Sequence, residues 1–321
     1  MNAGYTTEDL RAAVEAAIRA PSLHNSQPWR FRLHDGGIEI SADRERLRSV
    51  AARDWGVRLS CGAALFNLRL ALAVAGKPAT VGIRPYPHDP RVLARLVPDV
   101  ARPAAGAERS LHDAVARRHS NRTPFWGDPV PAEVRSALAK AARAESGWLE
   151  FVIGSAAVGA VAEIAHAANR VLERDPRYTA ELARWTRFDP APDGVPVSVG
   201  GPAGEPQDLL PQRAFGVRTR APGRDFEAEP LVAVLGCAGD SDADQLGAGQ
   251  ALQRVLLTAT GAGVAVSMLS QPIEVPAARE QLRLALGRYG MPQMVLRLGY
   301  GQPGFPTPRR PAEDVIDVDP R

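Results

Sequence analysis

The segment from Cys61 to Gly76 is apolar on nearly every side of a helical wheel, through Ala64, Leu65, Leu68, Leu70, Leu72 and Val74. A helix without a polar face must be covered all round, so the rest of the chain has to be arranged about it. Gly76 supplies the C-cap that ends it. A second stretch of the same kind runs from Gln245 to Thr260. Gly62, Leu65, Leu68 and Gly76 match Gly249, Leu252, Val255 and Gly263, each pair 187 positions apart. Thr7 to Trp29 and Pro131 to Trp148 also share an order: helix, Ala-rich end, loop, Trp, strand. Such spacing fits an internal repeat, and it also fits two buried helices that resemble each other by chance in an Ala- and Leu-rich chain.

A helix is predicted from Thr7, a plausible N-cap, to Ala20, where Pro21 stops the run. Trp29–Leu33 and Ile38–Ser41 read as a hairpin about the turn at Asp35 to Gly37, and Val81–Pro85 and Val92–Val97 as two further strands. From about Arg109 a second unit follows, with helices at Val130–Ala144, Ala157–Leu172 and Gln245–Thr260. Its strands are Leu149–Ile153, Leu231–Gly236, Val264–Leu269 and Gln293–Leu298. Thr186 to Pro230 is rich in Pro and Gly without sustained periodicity, and reads as a long surface loop or lid. The expectation is two domains, 1–108 and 109–321, with a lid insertion at about 186–230.

Composition narrows the function classes. With 321 residues, 45% of them apolar and 23% charged, the chain has the makings of a folded protein with a sizeable core. The 39 basic and 36 acidic residues leave +3, and no Lys/Arg tract is present to follow a nucleic-acid backbone. Cys61 and Cys237 are the only cysteines and form no CxxC pair, which argues for a reduced, cytoplasmic setting. No apolar run reaches the roughly 18 residues of a membrane helix and no signal-peptide layout is seen, so neither membrane nor nucleic acid is an expected partner. GxSxG, P-loop, HExxH and Cys/His metal patterns are absent.

Four segments could carry chemistry. In APSLHNSQPW, Ala20 to Trp29, Pro21 and Pro28 bracket a stiff run of small and polar residues. It can offer amides and an Asn/Gln pair to a planar heterocycle, or simply connect a helix to a strand. In RRHSNRTPF, Arg117 to Phe125, residues Arg118, Ser120 and Arg122 alternate, so an extended backbone would turn all three to one side, toward a phosphate or carboxylate. A solvated basic edge is the other reading. GAGVAVSMLSQP, Gly261 to Pro272, ends a buried strand in a polar Ser270-Gln271-Pro272 turn, where ligands often meet a sheet. GYGQPGFPTPRRP, Gly299 to Pro311, brings Arg309 and Arg310.

Taken in this order, the four segments resemble the FMN-dependent nitroreductase family, and over nearly the full length the chain resembles its fused, two-repeat Acg-type branch. The matches are Pro21, Ser22, Asn25, Gln27, Pro28 and Trp29, then Arg118, Ser120 and Arg122, then Gly261 to Gln271, then Arg309 or Arg310. The resemblance implies an α+β fold of nitroreductase-like mixed sheets flanked by helices, with two repeats fused into a pseudo-dimer that behaves as a monomer. It implies FMN as cofactor, NAD(P)H as electron donor, and a nitroaromatic or quinone-like small molecule as substrate. FMN contacts carry over to Pro21, Ser22, Leu23, Asn25, Gln27, Arg118, Ser120, Arg122, Leu269, Ser270, Gln271, Arg309 and Arg310. Arg118 and Arg309 would meet the phosphate, and Arg122 the flavin N1 and O2, where negative charge gathers on reduction. Only one Pro-Ser loop and one Arg-x-Ser-x-Arg element are present, so one site is implied. Leu23 stands where a second Ser is usual and His24 follows it, a weak candidate for proton donation. The alternative function is an inactive flavoprotein that sequesters or stores FMN under a closed lid.

Overall fold

A computed structural model describes residues 4–43, 46, 54–202, 204, 208–216, 227 and 230–317. The chain forms two compact units. The first comprises the residues up to Arg118, Ser241–Gly261 and the stretch from Arg309. The second comprises His119–Asp240 and Ala262–Pro308. This differs from two contiguous halves divided at 108 and 109.

In the first unit, α1 (Thr7–Ala17) opens with a capping box between Thr6 and Asp9. Strands β1 (Trp29–His34) and β2 (Gly37–Ala42) form the expected hairpin, paired in register from Trp29 with Ala42 to His34 with Gly37. Then come α2 (Asp54–Val74), β3 (Ala79–Ile83), β4 (Val92–Pro98) and α3 (Gly106–Val115). The sheet is completed by β11 (Ile316–Asp317), which runs parallel to β1, while the other pairs are antiparallel. The C-terminal tail thus returns to this unit as an added strand. Trp29, Phe31, Ile38 and Ile40 lie at 0% exposure in the core of this unit.

The helix α2 starts seven residues before Cys61 and is long and apolar enough, by length and composition, to cross a bilayer. That corrects the reading of no run of such length. Its burial explains the composition, because most of it is covered inside the unit. The main cover is α7 (Asp242–Gly261), which belongs to the first unit although in sequence it lies between the two segments of the second. A Cβ built on Gly62 would overlap the Leu246 carbonyl and stand 3.0 Å from the Gly249 Cα. One built on Gly249 would overlap the Leu59 carbonyl and stand 2.9 Å from the Gly62 Cα. A shift of 187 positions carries Leu59 to Leu246 and Gly62 to Gly249, so these are one contact seen from either partner. Arg58 and Gln245, also 187 apart, are joined by a hydrogen bond of 2.7 Å. Self-complementary contact of this kind is what a two-fold interface gives. The repeat is thus a structural one, with the paired helices fused in a single chain.

The second unit holds α4 (Ala132–Arg143), β5 (Gly147–Val152), α5 (Ser155–Glu173), α6 (Pro176–Trp185), β6 (Thr186–Arg187), β7 (Val195–Pro196), β8 (Leu231–Cys237), β9 (Ala265–Leu269), α8 (Gln271–Glu274), α9 (Pro276–Ala285) and β10 (Met291–Gly299). Its main sheet has the order β5-β8-β10-β9, antiparallel throughout. A parallel bridge from Ser120 to Val266 on β9 adds the mixed character. The fold is α+β.

Candidate functional site

Sequence chemistry builds an unusual loop between α1 and β1. Ser22 Oγ accepts a 2.9 Å hydrogen bond from the Gln27 N–H, closing the loop on itself. Inside it, His24 (φ 54°), Asn25 (φ 54°) and Gln27 (φ 50°) all adopt left-handed backbone. Asn and His tolerate this region better than Gln does. Strain of this kind, of order 1–3 kcal/mol per residue, persists where the surroundings hold it and clusters at functional sites. The surroundings here are close: His24, Asn25, Ser26 and Gln27 are all buried, Gln27 completely.

The tail holds the loop. Arg309 Nη1 donates to Asn25 Oδ1 at 2.9 Å, and the Arg310 N–H donates to Gln27 Oε1 at 2.8 Å. The two arginines then part. Arg310 pairs with Asp43 at 3.3 Å and donates to the Asp314 carbonyl at 2.8 Å. Arg309 Nη2 lies 3.4 and 3.5 Å from the Ala20 and Arg19 carbonyls. Arg118, buried at the end of α3, donates to the same Arg19 carbonyl at 3.1 Å. Arg309 is pushed down to about 9, first by burial and then by the like charges of Arg118 and Arg19.

Arg118 does not stand in an extended strand with Ser120 and Arg122. Its N–H donates to the Ala114 carbonyl at 3.0 Å, which makes it the last turn of a helix, and the alternation argument lapses because the backbone there is not extended.

The other candidates lie in the second unit. Ser120 is fixed by its bridge to Val266, and the Asn121 N–H donates to the Val266 carbonyl at 3.0 Å. Arg122 sits over the Phe215 ring, 5.3 Å from its centroid, and is pushed down to about 10 by burial and then by Arg213. Leu269, Ser270 and Gln271 are buried where β9 turns into α8. Ser270 Oγ accepts a 3.0 Å hydrogen bond from Arg213, whose guanidinium also pairs with buried Glu274 and lies over the Tyr178 ring.

Arg213, Glu274 and Tyr178 were not legible in the sequence, since Arg213 falls in the aperiodic stretch and nothing local links it to a residue 57 positions away. The described parts of that stretch are not bare loop. β6 pairs with β7, and Val195, Leu210 and Phe215 are buried within the second unit, while Leu209 is only partly covered. A cleft of about 290 Å³ elsewhere in the first unit is lined partly by Phe66, Arg69, Glu108 and Arg254, and none of its lining residues is a site candidate.

No family model matches the chain. Among curated relatives, "Putative NAD(P)H nitroreductase acg" of Mycobacterium tuberculosis (strain ATCC 25618 / H37Rv) is 33% identical over 326 residues, covering 98% of this chain and 96% of the relative. "Putative NAD(P)H nitroreductase Rv3131" of the same strain is 34% identical, with 97% and 91% covered. A solved nitroreductase with bound FMN from Desulfitobacterium hafniense DCB-2 is similar at 16% identity and TM-score 0.42, covering 65% of this chain and 97% of that one. The chain belongs to the nitroreductase family, among its Acg-type members.

Proposed function

We propose that this chain binds one FMN and uses NAD(P)H to reduce small nitroaromatic or quinone-like acceptors. The observation that carries the reading is the meeting of Arg118 and Arg309 on the Arg19 carbonyl, beside a strained and buried Pro-Ser loop. Like charges held together in a desolvated place fit a phosphate, which carries close to two negative charges and accepts charge-assisted hydrogen bonds. When bound, FMN would supply the chemistry of taking a hydride from NAD(P)H and passing electrons to the acceptor.

The protein residues bind and orient. Arg118 and Arg309 hold the phosphate, and the loop at Pro21, Ser22 and Leu23 presents backbone to the ring. Asn25 and Gln27 keep the loop and Arg309 in place. Ser120, Arg122 and the Leu269, Ser270 and Gln271 turn keep the flavin-contacting roles that the family resemblance implies. Arg310, tied to Asp43, serves as anchor. No proton-transfer role is assigned to His24, which is buried at 5% exposure. We also propose a cytoplasmic monomer acting on small molecules, with neither nucleic acid nor membrane as partner.

A second reading, storage or sequestration of FMN without turnover, is favoured by one observation. The stretch 208–216 is packed down, and its Arg213 already occupies the Ser270 hydroxyl.

The test is flavin content with turnover. Purified protein should release one FMN per chain, and Arg118→Ala and Arg309→Ala should each weaken FMN binding about tenfold or more, the loss of a charged hydrogen bond of roughly 1.5–3 kcal/mol. Steady NAD(P)H oxidation with nitro or quinone acceptors supports the enzyme, and full flavin loading without oxidation supports storage. Two flavins per chain, or none, overturns both.

A further inference from the structure

We propose that Asp43 is a positioning residue that sets the preference for a phosphorylated over an unphosphorylated flavin, by anchoring Arg310 so that the adjoining Arg309 stays in the arginine cluster. The inference rests on the flavin reading above and extends it to a residue outside the candidate set.

Arg118 and Arg309 carry like charges in a desolvated region, where repulsion is poorly screened, and exposed Arg19 adds a third charge beside them. Arg309 is held directly by Asn25, and Asp43 adds a second hold through the neighbouring Arg310. The Asp43 N–H donates to the Pro28 carbonyl at 3.1 Å, which fixes it against the Pro-Ser loop just after β2. Its carboxylate pairs with Arg310 at 3.3 Å, with only 10% and 11% of the two side chains exposed. The Arg310 N–H donates in turn to Gln27, the fully buried residue with φ 50°. Arg46 closes the arrangement, its N–H directed at Asp43 Oδ1 at 3.4 Å and its guanidinium donating to the Ser26 carbonyl at 2.7 Å.

One carboxylate thus ties together the strand end, the loop and the tail, and the next residue along the tail is Arg309. Consecutive Cα atoms stand about 3.8 Å apart, so displacement of Arg310 carries Arg309 with it. The phosphate is the part of the ligand that would register the loss. The isoalloxazine ring is common to FMN and riboflavin and would not.

The experiment compares two ligands on the full chain freed of flavin. Dissociation constants for FMN and for riboflavin are measured by fluorescence titration in wild type, Asp43→Asn, Asp43→Glu and Arg309→Ala. Asp43→Asn should weaken FMN about tenfold and leave riboflavin within twofold, and Asp43→Glu should restore most of the FMN affinity. Equal weakening of both flavins, or of neither, overturns the inference. Arg309→Ala separates the two levels. If it fails to narrow the gap between FMN and riboflavin, the phosphate assignment itself falls. If it narrows the gap and Asp43→Asn does not, only the role of Asp43 falls. Should Asp43→Asn not fold, Arg310→Met removes the same anchor while keeping the backbone bond to Gln27, and the same two constants decide.

Discussion

Replacing Gly62 by Ala adds a single methyl group where α2 and α7 cross. In an open helix the change would help, because Ala is favoured over Gly by about 1 kcal/mol. At the crossing the new Cβ meets the Leu246 carbonyl and the Gly249 Cα at 3.0 Å, both backbone, so no side chain can rotate aside. The helices must separate instead, and the contacts that flank the crossing loosen with them. Overpacking of a close-fitted core costs about 1–3 kcal/mol and occasionally more. With backbone on both sides the top of that range applies, leaving a net loss of about 2 kcal/mol after the gain in propensity is subtracted.

Gly249→Ala should lose a similar amount, since its Cβ meets the Leu59 carbonyl and the Gly62 Cα in the reciprocal contact. The double variant should cost less than the sum, because the two methyl groups force the same separation. Gly247 lies on α7 with nothing within 4 Å of a built Cβ, so Gly247→Ala should stabilise by up to about 1 kcal/mol. Urea unfolding followed by far-UV circular dichroism reads all four as midpoint shifts at an unchanged slope. If Gly62→Ala were as stable as wild type, or Gly247→Ala the more damaging of the two, the close-crossing argument would be wrong.

Glu274→Gln should cost about 3 kcal/mol, since removing one member of a buried ion pair strands the other. Replacing both Arg213 and Glu274 by Met should recover much of that loss in the same unfolding assay, and a cost below about 1 kcal/mol for the single variant would count against the pair. Arg309, held at about 9, is a base depressed on folding. It therefore costs stability while charged in both states below that value, and the cost is relieved as pH rises from there toward the unfolded range. FMN binding should run the other way, with its dissociation constant rising above about pH 9 in wild type and not in Arg309→Ala. Because α2 and α7 already cover each other within one chain, light scattering should find a monomer, and a concentration-independent dimer would contradict this.

The sequence alone determined the elements whose signal is local. Helix α2 and helix α7 were legible because an all-round apolar helix has one solution, burial, whereas their matched positions left open a repeat or a chance likeness until the Gly62–Gly249 crossing was seen. The β1–β2 hairpin followed from its turn residues and alternation, and the Pro-Ser loop from two prolines that restrict the backbone about it. Helices α3, α6 and α9 went unread although each is amphipathic, because each is only 10 residues long and buries few side chains, such as Ala114 and Val115 in α3 or Ala278 and Leu282 in α9. Only tertiary structure decided the site. It put Arg118 in a helical turn instead of a strand, gave Arg309 to the cluster and Arg310 to Asp43, and brought Arg213 to Ser270. The last three of these depend on partners 57 to 290 positions apart. Local sequence patterns report which face of an element is buried, whereas the choice of polar partner is made when distant segments pack and a desolvated charge or donor must be satisfied there.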